Sequence, residues 1–170
     1  SAAFLIADGV VPGNEGRGYV LRRVIRRAIR YGRQLGLESV EGGFLVPVAE
    51  SVIDHMGEHY VELVNGRKFA LQVLRQEEEG FGEVYETGMR IIDDHINAKS
   101  TNKRIDGEDI FLLYDTYGFP PELTAEIAHE HGLSVDMEGF EREMEAQRDR
   151  SRSAGVKFGG DADAQRHYEP

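Results

Sequence analysis

The sequence predicts an all-α fold of about six to seven helices with a flexible C-terminal tail. Hydrophobic residues recur at helical spacing along most of the chain, whereas strictly alternating runs of β-branched residues are few. With 170 residues, 40% of them hydrophobic, the chain is long enough for one sizeable domain with its own core. We therefore predict a helical domain over residues 1–153, followed over 154–170 by a tail or the start of a linker to another domain.

Glycine and proline mark the ends of the first predicted helices. Residues 2–8 predict a short helix, which ends before the loop VVPGNEGRG because that loop is dense in Gly, Pro and Asn. An arginine-rich helix follows from about 17 to 35 and ends at Gly36, a residue type that commonly terminates helices.

The middle of the chain predicts two or three further helices. Residues 44–57 (FLVPVAESVIDHMG) form one of them, since Pro47 is tolerated in a first helical turn. Residues 60–98 predict one helix or two, and 99–106 predict a loop. Four glycines are the weak points of the long stretch: Gly66, Gly80, Gly82 and Gly88.

The last three predicted helices carry recognisable end signals. Asp106 is a predicted N-cap, and the helix that it begins ends in the aromatic turn LYDTYGFP. The next helix, FPPELTAEIAHEHG, is entered through two prolines and closed by Gly132. Residues 136–152 predict an amphipathic charged helix, and the tail begins after it.

Composition limits the functional classes that the chain can belong to. It has no Cys, which excludes a disulfide framework and a Cys-based zinc site. No apolar run approaches the roughly 20 residues that a membrane span needs, so no membrane partner is expected. The start, SAAFLIADGV, lacks the basic segment of a signal peptide and also lacks Met. We expect a cytoplasmic protein and an excised fragment.

Charge is distributed unevenly along the chain. Residues 1–34 hold seven Arg and two acidic residues, a net charge of +5. Residues 35–170 hold 13 Lys or Arg and 29 Asp or Glu, a net charge of −16. The overall net charge of −11 argues against a polyanionic partner, but a local basic patch can override that average.

The arginine-rich helix separates into an apolar half and an arginine half on a helical wheel. We expect the apolar half to be buried and the other to present guanidinium groups. Like charges at this spacing repel, so they need a compensating partner. One alternative is pairing with the chain's own acidic residues; the other is a phosphate-binding face, because the arginine fork matches phosphate geometry.

Two polar residues in loops also have open interpretations. Asn14, in the glycine-rich loop before the arginine-rich helix, is either a turn residue or an amide that contacts a ligand. Asp115, within LYDTYGFP, is either a cap or turn residue or an acceptor for an exocyclic amino group on a base edge.

Catalytic and metal-binding patterns are weak in this sequence. His55 and His59 have a spacing that can chelate a metal, but no third ligand stands out, and a polar helix face is the alternative. No phosphate-cradling glycine loop, nucleophile elbow or Ser/His/Asp arrangement occurs. We therefore expect no catalytic residue, metal or cofactor in this chain.

Two long stretches closely resemble the alanyl-tRNA synthetases, a family of class II enzymes. They are AFLIADGVVPGNEGRGYVLRRVIRRAIRYGRQLG and DGEDIFLLYDTYGFPPELTAEIAHEHG, and the intervening EEEGFGEVYETGMRIID is similar to that family too. The resemblance covers nearly the whole chain and weakens only in residues 38–65 and the tail. It implies the helical middle domain that follows the catalytic core and precedes the editing domain, with the tRNA(Ala) acceptor stem as its partner.

The resemblance also implies roles for particular residues. Asn14 and Asp115 are expected to read the G·U wobble pair of the acceptor stem, from the minor-groove and major-groove sides respectively. Gly16 replaces a polar residue of some relatives, so no contact is assigned to it. The arginines expected to hold flanking phosphates are Arg17, Arg22, Arg23, Arg26, Arg27 and Arg30.

The resemblance makes the chain part of a larger ligase. The full-length enzyme joins alanine to tRNA with ATP and Mg²⁺ and carries Zn²⁺ in its editing domain, so its catalytic and editing domains are further expected partners. The motifs that bind ATP and alanine are not in this sequence. Two alternatives remain open: a helical protein-interaction domain that docks its arginine face on acidic groups, and a non-specific double-stranded RNA binder.

Overall fold

A computed structural model describes residues 1–37, 42–97 and 103–159, and their side chains as far as residue 152. Within these ranges the chain forms eight helices and one pair of short strands. The helices are α1 (Ala2–Ala7), α2 (Gly16–Gln34), α3 (Leu45–Met56), α4 (Val61–Asn65), α5 (Arg67–Asn97), α6 (Gly107–Asp115), α7 (Pro121–Glu130) and α8 (Met137–Gly159). The all-α prediction is confirmed, with one helix more than the expected six to seven.

The stretch predicted as one helix or two is two helices, with the break at Gly66. This glycine is the C-cap of α4, and α5 begins immediately after it. The other three glycines lie inside α5, where we predicted weak points. At Gly88, an added Cβ would lie 2.2 Å from the Phe119 ring. The missing side chain therefore allows α5 to pack closely against this ring.

Two short unpredicted strands connect distant segments in the second half of the chain. They are β1 (Arg104–Ile105) and β2 (Ser134–Val135), which pair in parallel with Arg104 opposite Ser134. Two residues are too few to show an alternating pattern, so no sequence signal was available. Half of the predicted 99–106 loop, residues 99–102, lies outside the described residues, and β1 occupies two positions of the other half.

Helix α8 continues beyond the predicted start of the tail. It extends to Gly159, beyond the predicted end at residue 152. The sequence between these points contains no proline that would force an end. Residues 160–170, most of the predicted tail, lie outside the described residues.

The long helix α5 is central to the hydrophobic core. Its buried Phe81 meets Phe119 edge to face, with ring centroids 5.1 Å apart. Helix α2 contributes Leu21, Ile25 and Ile29, all almost inaccessible to solvent. Of the helices in the described ranges, none combines the length and apolar character needed to cross a membrane.

Candidate nucleic-acid interface

Helix α2 lies between two acidic helices, and its arginines face both of them. Arg22, Arg26 and Arg33 pair with carboxylates of α5. Arg23, Arg27 and Arg30 pair with carboxylates of α7. The alternative of internal pairing is therefore confirmed for six of the seven arginines of this helix.

The expected orientation of α2 is corrected by this arrangement. The predicted apolar half is only partly buried, because Val20, Val24, Tyr31 and Leu35 are exposed. The arginine half, which we expected to face solvent, lies largely between helices. Acidic partners on both sides make this burial possible, and the long arginine stems cover apolar surface.

On the α5 side, one carboxylate holds two guanidinium groups. Glu77 accepts hydrogen bonds from Arg22 and Arg26, each at 3.3 Å, one on each carboxylate oxygen. The Glu77 and Arg26 side chains are each only 13% exposed. Farther along the same side, Arg33 pairs with Glu86 at 2.7 Å.

Arg26 connects three parts of the fold. Its guanidinium group pairs with Glu77, lies 5.0 Å from the centre of the Phe81 ring, and donates to the carbonyl of Gly118. Burial lowers the pKa of Arg26 below its ordinary value, and Glu77 works against that shift. Gly118 has a φ of +66°, a conformation that L side chains rarely adopt. Arg26 thereby fixes the turn that follows Asp115.

On the α7 side, tyrosines assist the arginines. Glu122 accepts from the Tyr19 hydroxyl at 2.5 Å on one oxygen and from Arg23 at 2.9 Å on the other. Burial, followed by this bond to Glu122, raises the pKa of Tyr19 above its ordinary range. Burial opposes ionisation of Glu122, but its bonds from Tyr19 and Arg23 lower its pKa overall.

The next turn of α7 repeats the pattern. Glu126 accepts from the Tyr31 hydroxyl, pairs with Arg27 at 3.2 Å and with Arg30 at 3.3 Å. Arg30 also pairs with Glu130, whose pKa this hydrogen bond lowers. The residue numbers of the paired side chains increase together along the two helices, so α2 and α7 run parallel.

Two of the arginines predicted to bind phosphate have opposite environments. Arg30 is 1% exposed and is enclosed by its carboxylate partners, so it is not accessible to a phosphate as it lies here. This burial is a correction to its predicted role. Arg17, at the start of α2, is exposed and forms no ion pair within the described part of the chain.

Asn14 and Asp115, from opposite halves of the chain, line the same cleft. This cleft, with a volume of about 330 Å³, is also lined by Tyr19, Arg22 and Arg26. The Asn14 side-chain oxygen accepts from Arg22, and Asp115 Oδ1 accepts from Gln147 Nε2 at 2.7 Å. Both residues are exposed at its surface.

The glycines around Asn14 bring its loop close to α2. A Cβ at Gly18 would lie 2.6 Å from the carbonyl oxygen of Val11 and 3.0 Å from the backbone nitrogen of Gly13. The loop thus folds back against the first turn of the helix. Its close approach places Asn14 beside Arg22 at the cleft.

The cleft offers groups for recognition. Amide, carboxylate, hydroxyl and guanidinium groups converge there, and these are hydrogen-bonding groups suited to phosphates and base edges. Across the described ranges, no group of three or more His, Cys, Asp or Glu could hold a metal ion. His55 and His59 are both exposed, and the His55 ring instead contacts the carbonyl of Ser51.

Several residues of this surface were missed at the sequence level. Tyr19, Glu77 and Gln147 had no signal, since their roles depend on contacts between distant helices. Glu122 and Glu126 did carry one: with Glu130 they form an acidic stripe at four-residue spacing, the same spacing as Arg23 and Arg27. Matching the two stripes would have suggested their pairing.

Comparisons with known proteins match the sequence of this chain to a family. The family model described as "tRNA synthetases class II (A)" matches residues 1–169. The chain belongs to that family. It is 54% identical over 154 residues to alanine--tRNA ligase of Methylococcus capsulatus, a match that covers 91% of this chain and 17% of the relative.

Other relatives within the class II tRNA synthetases give the same result. The alanine--tRNA ligase of Xanthomonas campestris is 52% identical over 160 residues, which cover 94% of this chain and 18% of the relative. That of Pseudothermotoga lettingae is 51% identical over 154 residues, with 91% and 17% covered. The chain thus spans less than a fifth of the length of the curated relatives that it matches.

Proposed function

We propose that this chain is the tRNA acceptor-stem recognition domain of an alanine–tRNA ligase and that it reads the G·U wobble pair of tRNA(Ala). The observation that carries the proposal is the shared cleft of Asn14 and Asp115, beside the arginines of α2. Relatives named alanine--tRNA ligase, at about half identity over nearly the whole chain, support the same assignment.

Asn14 and Asp115 would specify the base pair through acceptor atoms. Arg22 occupies one lone pair of the Asn14 oxygen, and the second remains for the guanine 2-amino group, which a G·U pair leaves without a partner. Among the described residues, Gln147 contacts only Oδ1 of Asp115, so Oδ2 remains for an amino group on a base edge. A-form RNA otherwise hides its sequence, so such groove-edge contacts are needed.

The arginines divide the remaining work. The exposed Arg17, Arg23 and Arg27 would contact phosphates and set the register of the stem. Arg22 and Arg26 line the cleft and would contact phosphate while they remain paired with Glu77. On the α7 side, the buried Arg30 would support Arg23 and Arg27. In this proposal ATP, Mg²⁺ and the zinc of an editing domain act elsewhere in a full-length cytoplasmic enzyme.

A pair of RNA hairpins that differ only in one base pair, G·U or G·C, tests the proposal. We expect the full 170-residue chain to bind the G·U hairpin about tenfold or more tightly, as one mismatched contact costs roughly 1–3 kcal/mol. Asn14→Ala and Asp115→Ala should each lose that preference. Asp94→Ala, at an exposed position of α5, is the matched control and should retain it.

Equal binding of the two hairpins by the unaltered chain would refute the proposed reading of the G·U pair. The chain should also form no alanyl-adenylate from alanine and ATP, since it lacks the motifs that bind them. Measurable adenylate formation by these residues alone would contradict the assignment as a recognition domain.

The second candidate function is a helical protein-interaction domain. It is favoured by the internal pairing of six arginines and by the exposed apolar residues Val20, Val24 and Tyr31 of α2. Salt dependence separates the two functions. Several phosphate contacts require a steep fall in RNA affinity with added salt, whereas a flat response favours a protein partner.

A further inference from the structure

Two carboxylates of α7 each contact a tyrosine and an exposed arginine of α2, and Glu126 also pairs with the buried Arg30 at 3.3 Å. We name these arrangements the Glu122 clamp, formed by Tyr19 and Arg23, and the Glu126 clamp, formed by Arg27 and Tyr31. In the Glu122 clamp the tyrosine and the arginine contact different oxygens, at 2.5 Å and 2.9 Å. In the Glu126 clamp Tyr31 contacts Oε1 and Arg27 contacts Oε2 at 3.2 Å.

The donors of each clamp suit a phosphate as well as a carboxylate. Both anions present two or more oxygens, and a guanidinium group with a neighbouring hydroxyl satisfies either of them. The two clamps repeat every four residues along parallel helices, which places them about 6 Å apart. They therefore form two consecutive anion sites along one line.

Exposure distinguishes the clamps from the two pairs that Glu77 forms on the α5 side. The side chains of Arg23 and Arg27 are 39% and 59% exposed, whereas those of Glu122 and Glu126 are 48% and 25% exposed. Tyr19 also lines the cleft that holds Asn14 and Asp115, so the line of anion sites begins at the cleft. A stem seated in the cleft would bring its phosphates to these clamps.

We propose that the two clamps are sites for RNA phosphates, which the carboxylates of Glu122 and Glu126 occupy in the free protein. This inference rests on the proposed RNA-binding function. A phosphate must displace each carboxylate, so the two glutamates lower the affinity for every duplex RNA. They also reduce its salt dependence, because the paired arginines release fewer counterions. Contacts with the base pair then decide whether a stem binds.

Glu122→Gln and Glu126→Gln test this inference, since each keeps the side-chain shape and removes the charge. With the G·U hairpin and the full 170-residue chain, we expect each variant to bind about two- to fivefold more tightly, the range of an exposed ion pair. The logarithm of affinity should also fall more steeply with the logarithm of salt, by about one unit per liberated arginine.

The controls separate displacement from a general charge effect. Glu62→Gln, at an exposed position of α4, removes the same charge away from α2 and should leave RNA affinity unchanged. Adding Arg23→Gln to Glu122→Gln should abolish the gain, since the liberated arginine is then missing. Circular dichroism checks that each variant keeps its helical content.

The outcomes also separate this inference from the proposed function. Unchanged or weaker RNA binding by both Gln variants, or an equal gain from Glu62→Gln, would overturn the phosphate clamps. The proposed function fails instead when the unaltered chain binds the G·U and G·C hairpins equally. A gain that depends on Arg23 would support the clamps in either case.

Discussion

The two sides of α2 use the same chemistry in different environments. Toward α5, Glu77 holds Arg22 and Arg26 where both Glu77 and Arg26 are 13% exposed. Toward α7, Glu122 and Arg23 form a comparable pair, at 2.9 Å, with about half of the carboxylate side chain exposed. Arginine–glutamate pairs in this fold therefore differ in how far water reaches them.

The difference in burial indicates which salt bridges stabilise the fold and which can exchange partners. A buried pair cannot lose one member without leaving a charge that water does not reach, so its role is structural. An exposed pair contributes little to stability and can exchange its partner. One arginine-rich helix can thus be fixed by its α5 side and remain available to a ligand at Arg23 and Arg27 on its α7 side.

Glu77→Gln should have the largest effect of the changes that test this comparison. It leaves Arg22 and Arg26 beside each other without their shared carboxylate, and we expect a loss of about 3 kcal/mol in the free energy of unfolding. Urea denaturation measures it. Glu79→Gln, the exposed neighbour on α5, is the control and should change stability little. Similar losses in both variants would mean that burial does not distinguish the α5 side.

Gly118→Ala tests the same side through the backbone. The added Cβ would lie 1.9 Å from a guanidinium nitrogen of Arg26, and the residue must keep a φ of +66°. We expect a loss of about 2 kcal/mol from strain and displacement of Arg26, measured by thermal denaturation. Gly80→Ala, whose Cβ would meet nothing within 4 Å, should be neutral or stabilising because Ala favours the helix. A stable Gly118→Ala protein would show that the Arg26 contact is dispensable.

The sequence predicted the local elements of this fold well. Helix α2 was expected from about 17 to 35 and lies at Gly16–Gln34, since its periodicity and its glycine stop are local signals. The orientation of the same helix was predicted wrongly in part. Which side is buried depends on the carboxylates of α5 and α7, and these neighbours are not visible from the periodicity of one segment.

The candidate site likewise combines residues that the sequence indicates with contacts between distant helices that it does not. Asn14 and Asp115 were selected by resemblance to a family, and their roles remain predictions, although they do line one cleft. Without that resemblance, each had two interpretations, a turn or cap residue or a contact with a ligand. The link from Glu77 through Arg22 to Asn14 could not be predicted, because it joins residues of different helices.

Acid should weaken the α7 side. The hydrogen bond from Arg30 lowers the pKa of Glu130 below its ordinary value of 4.5, so the unfolded chain binds this proton more readily. The resulting stability is fully present above pH 4.5 and is lost as the pH falls through the lowered, folded-state pKa. We expect urea denaturation of Glu130→Gln to show a smaller loss between pH 5 and pH 3 than the unaltered chain. Equal losses would exclude Glu130 as a source of the acid sensitivity.

Glu122→Gln should have the smallest effect on folding, although it removes a carboxylate with two partners. Because the pair with Arg23 is exposed, we expect the free energy of unfolding to fall by less than about 1 kcal/mol in urea denaturation. The matched comparison is Glu77→Gln, which makes the same chemical change on the buried side. If Glu122→Gln destabilised the fold as strongly, its carboxylate would be structural and a phosphate could not displace it. A small loss of stability together with tighter RNA binding would separate the two sides of α2 by function as well as by burial.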